Sequence, residues 1–380
     1  MRPANSASIT GRTSTTCRPA PATASVGASR PRGGRRRASA AQTYLKPASK
    51  RPNLQVVTGA LVHHITFNGK RATGIEFSRA AKVEVAEAVR EVILAAGAVG
   101  SPHLLQLSGV GNPDDLAKAS IPVHHPLPGV GHNFQDHYIA RMSCEVRGIE
   151  TLNERGRGLS FASELWRYVT TGTGMLTYSA SLCAASVKVL EESATPDVQC
   201  VFAPASYKPG LIRKLDDTPG ITGGPWQMRP LSRGYVLART PDPHDQPAIN
   251  PRYLAEDTDR RAMLGGLKFL RRLFAAPAMA KYVVAEKLPG PSVQSDDELL
   301  DYARANGSTV YHASCSCLMG NHAMAVVDDE LRVHGLEGLR VIDASIMPAV
   351  SSTNTNAPTI MIAEKGAAII KGAARQRLAA

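Results

Sequence analysis

The chain has 380 residues, 43% of them hydrophobic, a length and composition that allow one large domain or two intimate ones and a sizeable core. The net charge of +12 belongs to one end: thirteen Lys and Arg precede the first acidic residue, Glu76, and the remainder is close to neutral. That distribution excludes a basic nucleic-acid footprint on the folded body, and the absence of any run of about 18 apolar residues excludes a membrane-spanning helix.

Residues 1–33 are rich in Arg, Ser, Thr, Ala, Pro and Gly and poor in large apolar side chains. Such a segment cannot bury enough surface to offset its ordering entropy, and it lacks the apolar region of a secretory signal. It is expected to be disordered or non-native, with an organellar transit peptide as the alternative. Order is expected from about Gly34. Runs at 54–57 and 61–67 read as strands, Asn68-Gly69 marks a hairpin, and strands at 72–77 and 83–88 complete an antiparallel meander. The apolar run 92–96 reads as a strand buried on both faces. A short helix over 102–107 follows, capped by Ser101 with Pro102 at its first position and ended by Gly109 and Gly111.

From 138 to 305 the pattern is mixed. Strands are expected at 198–203 and 235–239. Met263, Leu267, Leu270 and Phe274 line one face of a helix capped by Asp257 or Thr258. Ser295 and Glu298 form a capping box for a helix that ends at Gly307. Further on, 339–342 reads as a second buried strand, ending in Asp343, and a helix over about 358–371 follows with Asn356 as its N-cap.

Chemistry concentrates near this end. Asp343 at a strand terminus lies where open α/β sheets gather ligands, although a simple turn or cap Asp has the same spacing. The helix start at Asn356 and Thr359 favours negative charge, as every helix start does. His312 in Tyr311-His312 could act as a base near neutral pH. Cys315 and Cys317 could join it in a metal site, but their spacing is tighter than structural zinc sites use and no fourth ligand is evident; buried, reduced thiols are the expectation, with no metal.

The segments Gly97–Gly111, Gly129–His137, Arg229–Gly234, Asp242–Pro247, Tyr311–Gly320, Val341–Pro348 and Asn354–Thr359 together resemble the glucose–methanol–choline (GMC) flavoprotein oxidoreductases, choline- and alcohol-dehydrogenase-like members above all. The resemblance spans 34–375 in the family's motif order. It implies an α/β FAD-binding domain carrying a β-meander plus an α+β substrate-binding domain with an antiparallel sheet. The division it implies is flavin domain 34–137, substrate domain 138–305, and flavin domain again over 306–375. It implies FAD as cofactor and oxidation of an alcohol, choline-like or a primary aliphatic or aromatic one, to the aldehyde by hydride transfer to flavin N5. The catalytic residues implied are His312 as base and Asn354 as its partner on the substrate oxygen. The cofactor contacts implied are Val62, Ala96, Asp343, Ala344, Asn356 and Thr359. The implied setting is cytoplasmic or peripheral at the inner membrane, with a small-molecule alcohol as partner, no nucleic acid, and an electron acceptor left open.

The chain departs from the family pattern in two places. Cys315 stands where the family has Gly, so a β-carbon crowds a backbone made for none. The family's opening G-x-G-x-x-G unit has no counterpart before Gly34, so the chain is expected to represent a partial member. Two other readings are therefore open: a non-catalytic remnant unable to hold FAD, and a hydroxynitrile lyase, an activity some family members have.

Overall fold

The computed structural model describes residues 23–26, 32–33, 36–179, 181–208 and 214–379. Most of 1–33, expected to be disordered, lies outside these residues. Thr23–Val26 does not: it pairs antiparallel with Cys183–Val187, whose outer backbone groups would otherwise be unpaired.

Two hydrophobic cores organise the chain. The first is built from residues near both ends, among them Ile65, Leu105, Val326, Leu339 and Val341. Its framework is a parallel pair, Val92–Leu94 against Leu339–Val341, extended by the bond from Ile342 N to Leu94 O at 2.8 Å. The meander Ala60–Asn68, Arg71–Arg79 and Lys82–Glu87 lies beside it, turning at Gly69 with φ +56°. The run at 54–57 is not a strand; it is exposed chain, since no neighbouring edge takes up its hydrogen bonds. Nor is the strand at 92 buried on both faces: it stops at Leu94, Ile93 is 44% exposed, and Ala95 and Ala96 form an exposed step beyond it.

The helix after that step begins five residues earlier than its sequence signals suggest. It runs Gly97–Leu107, with Pro102 inside and Ala96 at the N-cap. Ser101 is therefore inside the helix and is not its N-cap. Its hydroxyl accepts from Ala96 N at 3.1 Å and donates to Asp343 Oδ2 at 2.5 Å. Pro102 is the sixth residue of this helix and donates nothing to Ala98 O; that carbonyl accepts instead from Ser316 Oγ at 2.6 Å.

The second core belongs to an antiparallel sheet. Cys183–Val187, Val198–Ala203 and Gly220–Gln227 run side by side. Gly220–Gln227 then pairs with both Met142–Val146 and Tyr138–Ile139, and these pair outward with Val283–Leu288 and Ser308–Thr309. Helix Asp257–Phe274 covers one face, burying Met263, Leu267, Leu270 and Phe274 as the periodicity indicates. Each contributes about 1.5–3 kcal/mol of apolar burial. The approach is close enough that a Cβ on Gly266 would stand 2.5 Å from Pro225 Cβ. Its N-cap is Glu256, one residue before Asp257 and two before Thr258, the expected positions. Helix Asp296–Asn306 has the Ser295–Glu298 capping box and ends at Gly307. The last helix, Asn356–Ala379, takes Asn356 as its first residue and not as a cap. No described helix is long and apolar enough to cross a membrane.

Candidate active site

The short antiparallel contact of Tyr138–Ile139 with Ser308–Thr309 joins the sheet to the loop bearing His312. That loop is held by Asp136, a buried carboxylate that accepts from His312 N at 2.8 Å, from Tyr253 Oη at 2.5 Å and from Thr309 Oγ1. Two backbones beside the imidazole lie in the left-handed region, Tyr311 at φ +63° and Cys315 at φ +71°. The strain expected at Cys315 is thus present, at about 1–2 kcal/mol for a residue with a β-carbon. Its thiol and that of Cys317 are fully buried, and burial pushes the Cys315 thiol up to about 11.

His312 itself is 6% exposed and has a neighbour at each ring nitrogen. Nδ1 is 2.8 Å from Nδ1 of His137, and Nε2 is 3.0 Å from Nδ2 of Asn354. The protons in this chain follow from its far end. His137 Nε2 lies 3.1 Å from Met228 O, which can only accept, so Nε2 carries the proton. Burial lowers the His137 pKa to about 4, which keeps its ring neutral and leaves Nδ1 with a lone pair. His312 must then donate from Nδ1. Burial also lowers the His312 pKa, so it too is neutral and presents a lone pair at Nε2, on which Asn354 places an amide N–H. Asp136 acts in the opposite sense, raising the His312 pKa and favouring a proton once one arrives.

A His whose folded pKa lies below its unfolded value contributes stability above the unfolded pKa, and that contribution is lost as pH falls through the folded one. For His137 the window is from about 6.5 down to about 4, and the full loss is about 3 kcal/mol. Urea unfolding at about pH 7 and at about pH 4.5 should show this loss, and His137→Gln should lessen it; equal losses in both proteins would contradict the assignment.

Beyond Asn354 opens a cavity of about 530 Å³, bordered by Asn354, Tyr311, Thr309, Trp226, Gln199 and Arg141 among others. Trp226 forms its inner wall: the ring centroids of His137 and His312 lie 6.1 and 6.0 Å from the indole. Sequence reasoning singled out His312 and Asn354, which the structure places in contact, but gave no part to Asp136, His137 or Trp226. The first two stand in the quoted Gly129–His137 segment, yet no spacing signal links that segment to residue 312. Trp226 lies in a glycine-rich strand with no motif.

The expected cofactor residues fall into three places. Asp343 and Ala344 are buried at the end of strand Leu339–Val341, opposite the exposed Ala96. Asn356 and Thr359 begin the last helix; Thr359 Oγ1 donates to Thr355 O at 2.7 Å. Val62 is on the meander strand Ala60–Asn68, which packs on helix Gly97–Leu107, and no bond ties it to the others. The Asp343 carboxylate is more occupied than expected. Oδ1 accepts from Ser345 N at 2.8 Å, and Oδ2 accepts from Gly97 N at 2.9 Å and from Ser101 Oγ. Its first duty is to lock the Gly97 turn to the C-terminal segment. A carboxylate already standing at that helix start suits hydroxyl groups and repels phosphate. Gly97, at φ +78°, has no atom within 4 Å of where a Cβ would stand, so the step beside Asp343 is open. These features fit the polyol part of a flavin nucleotide.

GMC oxidoreductase family models match residues 15–139 and 230–363. The chain is 40% identical over 337 residues to an oxygen-dependent choline dehydrogenase of Burkholderia vietnamiensis, covering 89% of this chain and 59% of that one. It is 41% identical over 344 residues to the enzyme of the same name from Burkholderia orbicola, covering 90% and 60%. The chain therefore spans about three-fifths of the length of these relatives. Among solved structures, pyridoxine 4-oxidase from Mesorbium loti superposes with a TM-score of 0.75 at 27% identity, covering 88% of this chain and 62% of that one. A fungal aryl-alcohol oxidase does so with a TM-score of 0.77 at 25% identity, covering 89% and 64%.

Proposed function

The chain belongs to the GMC oxidoreductase family, and on that premise we propose that it oxidises an alcohol to the aldehyde with FAD as cofactor. The observation that carries this reading is the 3.0 Å pair of His312 Nε2 and Asn354 Nδ2 beside the cavity. One atom offers a lone pair and the other an N–H, the two partners a hydroxyl needs. An alcohol placed there donates its proton to His312 and accepts from Asn354, replacing the direct bond between them. Burial keeps His312 unprotonated and ready as a base, while Asp136 steadies the positive charge that follows. The Asn354 amide faces the oxygen on which negative charge develops as the proton leaves. His137, held neutral, keeps accepting from Nδ1 and fixes the ring through the transfer.

FAD, when bound, supplies the hydride acceptor. Val62, Ala96, Asp343, Ala344, Asn356 and Thr359 are the residues that would hold it, with Asp343 and Ala96 toward its hydroxyl groups and the helix start at Asn356 toward the electron-rich edge of the ring. The choline of the relatives' names is one candidate substrate, alongside primary aliphatic and aromatic alcohols.

The test is anaerobic mixing of the FAD-loaded protein with primary alcohols, following loss of the visible flavin band. Bleaching with aldehyde formation is expected, and Asn354→Ala should slow it about 10²-fold with flavin content unchanged. Flavin that stays oxidised with every alcohol class would sink the reading.

A further inference from the structure

The cavity beyond Asn354 carries one cation and no carboxylate. Arg141 borders it, half-buried, and its guanidinium makes one hydrogen bond, Nη1 to Ser308 Oγ at 2.8 Å. Arg141 joins no ion pair among the described residues, whereas Arg271 and Arg340, for example, each hold a carboxylate. Residues 1–37, 180, 209–213 and 374–380 contain no Asp or Glu to pair with it. An Arg drawn this far from water without a carboxylate is uncommon, since its desolvation is ordinarily offset by a paired anion.

We propose that this cavity selects alcohols bearing a carboxylate, with Arg141 as the specificity residue for the anion, and that it disfavours quaternary ammonium alcohols. The inference rests on the alcohol-oxidation reading and deepens it. A carboxylate supplies acceptors to the unfilled N–H groups of the guanidinium and neutralises it, and the planar fork suits a carboxylate bidentately. A trimethylammonium group would meet a like charge there with no acid to balance it. The geometry also orients the substrate. Ser308, which Arg141 holds, precedes the segment Thr309–Tyr311 that borders the cavity and leads into His312, so anion and carbinol occupy one continuous space.

Three probes separate the possibilities in the FAD-loaded protein: 4-methylbenzoate, its uncharged counterpart 4-methylbenzamide, and choline. Equilibrium binding should favour the carboxylate over the amide by at least about 10-fold, the scale of one charge-assisted hydrogen bond. Arg141→Met should erase that preference and Arg141→Lys should retain part of it, with thermal unfolding confirming that each variant folds. Oxidation should follow the same order, with kcat/KM higher for 4-(hydroxymethyl)benzoate than for choline. Equal binding of carboxylate and amide, binding of neither, a preference untouched by Arg141→Met, or choline as the better substrate would each overturn the proposal. In the last case alcohol oxidation itself would stand. Carboxylate binding as expected with no alcohol oxidised would instead sink the reading of the reaction.

Discussion

Replacing His312 by Ala in the FAD-loaded protein is expected to lower alcohol-driven turnover about 10³-fold, the range of a lost general base, while flavin content stays unchanged. The ring is buried, its tautomer is fixed, and its lone pair at Nε2 meets Asn354, which borders the cavity, whereas the lone pair of His137 is taken up by His312 Nδ1. Removing it leaves Asn354 without its partner and His137 without its donor, but touches neither Asp343 nor the Gly97 turn. Steady-state turnover and flavin content, measured on the same preparation, check the claim together. A variant that keeps wild-type turnover would show that the proton leaves by another route. A variant that loses flavin in step with activity would assign His312 to structure instead of chemistry.

The largest expected effect on stability lies at Asp343. Its carboxylate takes bonds from Gly97 N, Ser101 Oγ and Ser345 N, all within a buried junction of two chain segments about 240 residues apart in sequence. Asp343→Ala strands these donors, and hydrogen bonds to a charged acceptor are worth about 1.5–3 kcal/mol each. Losing them together should cost about 3 kcal/mol or more, with further loss of flavin affinity as the step beside Ala96 loosens. Asp343→Asn, which keeps one acceptor oxygen, should fall between. Urea midpoints of the three proteins read the outcome directly; a midpoint for Asp343→Ala equal to wild type would mean that these bonds contribute nothing net.

These two residues also show what the sequence made legible. His312, Asn354 and Asp343 stand in short motifs whose chemistry is local, and the structure brings His312 and Asn354 into contact. Strands such as Val198–Ala203 and helices such as Asp296–Asn306 were legible because periodicity and capping are local signals. Ser101 was misjudged for the opposite reason. A Ser before a Pro has the pattern of a cap, and only the partner 242 residues away reveals that its hydroxyl serves Asp343. His137 was hidden in the same way. Nothing adjacent marks it, and its role depends on a 2.8 Å contact with His312 across 175 residues. Arg141 is more opaque still, since its meaning lies in the carboxylate that does not accompany it. Local physics is written in the sequence, whereas pairings between distant segments exist only once the two cores have formed.

The neutral, tautomer-locked His312 is tested most directly by the pH dependence of kcat/KM for alcohol-driven bleaching, which reports groups in the free protein. Because burial lowers the His312 pKa from its ordinary 6.5, activity should rise with pH through a midpoint below that value and then stay level. His312→Ala should abolish the step along with most of the rate. A rate that falls as pH rises through this range, or the same step in His312→Ala, would contradict the assignment of His312 Nε2 as the base.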